Sequence, residues 1–130
     1  MTVYQSRIDR RIAAKVGAYT VEHGGGTFDA VTGDPFIPSI GYGCGMADGT
    51  AAFQPDATAL YETGRRVAQE FNASFFGTWI DERTGLVHVD PAAYIIGYDR
   101  AVSFAREHGQ IALYNFSTKT VEYIESEVQS

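Results

Sequence analysis

The sequence predicts an α+β domain: a mainly antiparallel sheet built from hairpins, with two or three helices packed on one face. Three observations lead there. Short runs rich in β-branched and aromatic residues are separated by turn-forming tetrapeptides, so most strands pair with their sequence neighbours. Strong helical periodicity is confined to a few stretches. Strand and helix alternate too little for a doubly wound parallel sheet, in which each parallel pair needs a long crossover. With 130 residues the chain is expected to form one domain, 1–130, carrying an N-terminal helical arm at 1–17.

The elements follow in order. Tyr4, Ile8, Ile12 and Val16 recur every four positions and predict a helix over 3–16, although Val3, Tyr4 and Ile8 also suit a strand. "AYTVEH" at 18–23 reads as a strand from its β-branched and aromatic content. Three glycines follow, then "TFDAV" as a second short strand and "TGDP" at 32–35 as a turn. Glycines at 41, 43, 45 and 49 accompany one strand near 40–47. The best helix runs from Ala57 to Asn72, with Asp56 as its N-cap and Leu60, Tyr61, Gly64, Val67, Ala68 and Phe71 on one apolar face. "SFFGTWID" (74–81) and "LVHVD" (86–90) form a hairpin through "ERTG", and Pro91 is expected to end the pairing or mark an edge. Asp99 is expected to cap a helix over 100–108 that Gly109 closes. "QIALYNF", "STKT" and "VEYI" make a last hairpin over 110–124.

Composition narrows the function classes. Net charge is −6 with a pI near 4.9, which argues against general nucleic-acid binding. The charge is uneven: residues 1–16 carry a local +3 and the other 114 residues −9. The basic segment is either a solvated helix face or an arm that meets an acidic patch on another copy, and the latter makes a homo-oligomer the expected state. A single cysteine, Cys44, permits no disulfide within the chain and suits a reducing, cytoplasmic setting. No apolar run is long enough to span a membrane, and no membrane partner is expected.

Each candidate site has a plain structural alternative. His23-Gly24-Gly25-Gly26 resembles an esterase oxyanion loop, but no G-x-S-x-G elbow accompanies it. The glycines then serve as a bend, or as a nest of backbone N–H groups for an anion. Gly41-x-Gly43-x-Gly45 lacks the third glycine of a dinucleotide fingerprint, so it marks a smooth strand face for packing or for a ligand. Cys44 could act as a nucleophile beside a base, or be an inert core thiol. His88, Asp90 and Asp81 could hold a cation, or line an exposed hairpin. His108 is read as compensating a helix dipole.

Aromatic residues are abundant, with eight Tyr, eight Phe and one Trp. Tyr19, Tyr42, Tyr94, Tyr98 and Tyr114 could line a groove with Arg65 and Arg66 for a planar or phosphorylated ligand, or simply rim the core. The expected ligand-binding set is therefore Gly24, Gly25, Gly26, Thr27, Tyr42, Gly43, Arg65, Arg66 and Tyr98. No catalytic set, metal or cofactor is expected.

Two segments, "GGGTFDAVTGDPFIPSIGYGCGM" and the stretch 75–124, carry a pattern: Gly77-Thr78-Trp79, Thr84-Gly85, Val87–Asp90 and Gly109-Gln110-Ile111-Ala112. It resembles small uncharacterised proteins of phages and actinobacteria over about 70 residues. The resemblance implies a protein of mobile genetic elements that works by binding, such as a counter-defence factor capturing a host protein or a nucleotide-like signal. The alternatives are a small hydrolase or transferase using Cys44, His88 and Asp81, and a structural or virion-associated protein.

Overall fold

The computed structural model describes residues 3–47, 51–53 and 57–124. Among the described residues three helices, α1 (Val3–His23), α2 (Ala57–Glu70) and α3 (Tyr98–Glu107), accompany seven strands. The strands are β1 (Gly25–Asp29), β2 (Tyr42–Gly45), β3 (Ala51–Phe53), β4 (Phe75–Ile80), β5 (Val87–Ile95), β6 (Ala112–Asn115) and β7 (Thr120–Tyr123). Every pairing is antiparallel, in the order β1-β4-β5-β2-β6-β7, with β3 added beside β5. The seven strands fill six lanes, because β3 and β2 share one edge of β5.

The helices cover one face only, as expected. Pleating places Phe28, Phe76, Thr78, Val87 and Val89 on the same side as Cys44 and Leu113. On that side α1 and α2 close a core of Ala13, Val16, Phe28, Leu60, Tyr61, Val67, Phe76, Val87 and Val89. Further along the same face, α3 closes a second core of Cys44, Ala101, Val102, Ala105 and Leu113. Phe28, Leu60 and Phe76 are wholly buried, each contributing about 1.5–3 kcal/mol of transfer free energy. Gly64 of α2 lies against the Phe76 ring, where an added Cβ would come within 2.4 Å of a ring carbon. The close neighbour that this glycine admits is thus a ring.

Several expectations need correction. Residues 18–23 are not a strand; α1 continues to His23 as one 21-residue helix. Strand propensity is overridden because Ala13, Val16, Gly17 and Thr20 form one buried helical stripe. The stripe makes the second half of α1 part of the core, beyond the arm expected at 1–17. Helix α2 stops at Glu70, since Asn72 takes φ 54 and turns the chain out. Asp56 lies outside the described residues.

Pro91 neither ends the ladder nor marks an edge: β5 runs through it, opposite Phe76. Its carbonyl accepts from Met46 N at 2.9 Å, so its missing N–H faces the junction where β5 passes from β3 to β2. No ladder donor is needed there. Asp99 is not the cap of α3 either. Gly97 holds that position without a side-chain bond, and Asp99 sits in the first turn, where its charge suits the helix dipole.

Candidate functional site: the helix-free face of the sheet

Strand β1 lies at one end of the sheet and β2 three lanes inward, so the chain between them must cross β4 and β5. Residues 34–36 first pair along the outer edge of β1, through Asp29 N to Asp34 O and Phe36 N to Thr27 O. The chain then passes over the face that the helices leave open. Phe36 stacks on Phe75 at 4.4 Å and meets Tyr94 and Phe116 edge-on at 4.8 and 5.9 Å. Tyr94 donates its hydroxyl proton to the Ile40 carbonyl, and Phe116 N donates to the Gly41 carbonyl. Gly43 lies beneath Phe116 and leaves room for that ring. This cluster covers the part of the face formed by Phe75, Tyr94 and Gly43.

Among the described residues, no side chain of the crossing packs over the Trp79 end of this face. Trp79 and His88 sit directly opposite each other on β4 and β5, and their rings stack at 4.4 Å with 12° between planes. Trp79 remains 46% exposed although it lies within a strand of a six-lane sheet. On its other flank the opposite residue is Gly25 of β1, which has no side chain. One π face of the indole is therefore covered by imidazole, while directly opposite on β1 stands Gly25, which has no side chain. The next row, Thr27, Gly77 and Asp90, adds polar groups around a flat centre. A Cβ on Gly77 would meet nothing nearer than Gly26 O at 3.7 Å, so neither packing nor backbone conformation demands glycine there.

The residues expected to bind a ligand divide between different surfaces. Gly24, Gly25, Gly26 and Thr27 make the reversal from α1 into β1. Gly24 has φ +78, which suits glycine, and a Cβ on Gly25 would come within 2.5 Å of the Thr78 carbonyl. At Gly26 the Tyr19 and Phe28 rings fill the space a side chain would need. The triple glycine is thus accounted for by tight passage of the chain, and Ile80 N donates to the Gly24 carbonyl to bind the bend to β4.

Tyr42 and Tyr98 meet edge-on at 5.8 Å on the helix-covered side. Gly43 is on the opposite side, under Phe116. Arg65 lies over the Tyr61 ring at 5.3 Å, and Arg66 pairs with Glu70 at 3.6 Å on the outer surface of α2. Tyr19, on α1, packs against Phe28 of the core, whereas Tyr94 and Tyr114 belong to the Phe36 cluster. The five tyrosines and two arginines line no common groove. A shallow depression along α3, lined by Ile95, Asp99, Arg100, Ser103, Phe104 and Glu107, is wide open.

The nucleophile candidates do not converge. Cys44 is buried on the helix side with its Sγ 4.0 Å from the Ala101 carbonyl, and burial pushes the thiol from 9.0 up to about 11. His88 is on the other face, committed to Trp79. Asp81 accepts from Arg83 Nε and Nη2 at 3.2 and 3.1 Å and from Arg83 N at 2.9 Å. Those hydrogen bonds hold its carboxyl below the usual range and fix the β4–β5 turn. Among the described residues no three His, Cys, Asp or Glu side chains cluster as metal ligands. His108 Nδ1 lies 2.9 Å from the Phe104 carbonyl and so carries the proton, tying the end of α3. No helix among the described residues is long and apolar enough to cross a membrane.

Sequence reasoning placed Trp79 and His88 on a hairpin but not against each other. The available signal was the alternation Phe75-Gly77-Trp79 facing His88-Asp90, once the hairpin register is set. Gly25 could not be added from sequence, because it lies 54 positions before Trp79. No family model, curated protein or solved structure matches the chain.

Proposed function

We propose that this chain is a non-enzymatic binding protein, of the phage or mobile-element type its sequence pattern resembles, and that it captures its partner on the Trp79 end of the helix-free face. The expected partners are a host protein or a nucleotide-like ligand. The observation that carries this reading is Trp79, an indole left half-exposed on the sheet face opposite the helices, with Gly25 as its neighbour on β1. Exposed aromatic groups on a rigid scaffold are typical anchors of binding surfaces. The dispersal of Cys44, His88 and Asp81 removes support from the hydrolase alternative. The test is thermal-shift screening against mono-, di- and cyclic nucleotides, with product analysis on the same mixtures. Stabilisation without turnover supports the reading; turnover lost in Cys44→Ala or His88→Ala overturns it.

Self-association rests on a different observation. The outer edge of β1 is paired by residues 34–36, whereas β7 ends the sheet with Val121 57% and Tyr123 75% exposed. Ile124 N bonds back to the Ile111 carbonyl, so by alternation Val121 and Tyr123 direct their backbone groups outward. An edge of this kind accepts the same strand of a second copy. Light scattering behind size-exclusion chromatography tests it: a dimer that Val121→Lys dissociates supports pairing, and a monomer at all concentrations rules it out.

A further inference from the structure

We infer that the Trp79 end of the helix-free face holds one seat for a planar nitrogen heterocycle of nucleobase type, stacked on the indole of Trp79 above Gly25. The inference rests on the binding reading above and specifies its ligand class. The geometry is a stack one ring short. His88 covers one indole face at 4.4 Å and 12°. In the lane on the other side the register places Gly25, so a third ring can enter parallel to the first two. The backbone forms the floor of the seat, since β1 and β4 pair through Gly25–Trp79 and Gly26–Thr78.

Chemistry selects the occupant. Every nucleobase offers a π face to an indole, a purine the larger one, and base–aromatic stacking is tolerant of base identity. Thr27, one row away beside Gly77, adds a hydroxyl that can donate to or accept from the edge of such a ring. The −6 net charge and the engagement of Arg65 and Arg66 on the far side of α2 argue for a ring without a train of phosphates. Adenosine is therefore the probe of choice.

Trp79 is the chain's single tryptophan, so its fluorescence reports on this seat alone. Titration with adenosine should quench it along a saturable curve, with half-saturation on the order of a millimolar. Ribose and inorganic phosphate should leave it unchanged. Adenosine should also raise the melting temperature of the native chain, an effect lost in Trp79→Leu and retained in part in Trp79→Phe. Gly77→Met, at a position with room for a Cβ, should fold normally and weaken binding about tenfold by crowding the seat. Linear, collisional quenching equal to that of a free tryptophan derivative would overturn the proposal. A thermal shift undiminished in Trp79→Leu would also overturn it by locating the ligand elsewhere, while leaving the binding reading intact. Conversion of adenosine to a new species would overturn both.

Discussion

Thr20 and Thr78 lie with their hydroxyl oxygens 2.8 Å apart in the buried seam between α1 and β4. The pair ties the last turns of a helix, in a segment of strand-like composition, to the strand that carries Trp79. Either hydroxyl can donate, and each is the other's partner away from water. Thr20→Val or Thr78→Val alone should cost about 1–3 kcal/mol by orphaning the remaining hydroxyl. The double variant should cost less than the two singles combined. Urea denaturation of all four proteins gives the coupling energy, and strict additivity would show that the two groups act independently.

The contact of Gly64 with Phe76 makes an opposite kind of prediction, since here the fault is an added atom. Gly64→Ala raises helix propensity yet drives a methyl into the ring, and should destabilise by about 1–3 kcal/mol. Phe76→Leu in the same chain should recover part of that loss by vacating space. Stabilisation by Gly64→Ala alone would mean that α2 can move off the sheet at no cost.

Cys44 should be inert in the native protein. Raising the thiol from 9.0 to about 11 leaves about a hundredfold less thiolate at pH 8 than an ordinary cysteine has. Iodoacetamide labelling followed by mass spectrometry should therefore be slow in buffer and rapid in denaturant. Fast labelling of the folded chain would reopen the nucleophile reading.

Asp81 should couple turn stability to pH. Its carboxyl is held below the unfolded value by hydrogen bonds from Arg83, so its contribution is present above the ordinary carboxylate range and is lost as pH falls through the folded value. Arg83→Gln should raise the Asp81 titration midpoint, followed by carboxyl NMR. The stability gap between this variant and the parent should be larger at pH 7 than at pH 3. A gap that widens on acidification would reverse the sign of this linkage.

Much of the architecture could be read from local pattern. The periodicity of 57–72 marked α2, the turn residues of 82–85 and 117–120 marked two hairpins, and the hairpin-dominated order pointed to an antiparallel sheet with helices on one face. Those features depend on residues within a few positions of one another, where composition and spacing report directly on burial. The second half of α1 did not follow from local pattern, because Ala18, Tyr19, Thr20 and Val21 favour a strand until Thr78 and Phe28 supply the surface against which a helix packs. Pro91 in mid-strand became admissible only once β5 was shared between β3 and β2.

The sequence by itself determined the class of fold and the hairpins, together with an abundance of aromatic and glycine residues. Only the tertiary structure decided which aromatics are sealed by the crossing at Phe36 and that Trp79 stays half-exposed between His88 and Gly25. The reason is register: Gly25 meets Trp79 through the summed packing of a whole sheet face, and a slip of one residue would turn every side chain of β1 to the other side.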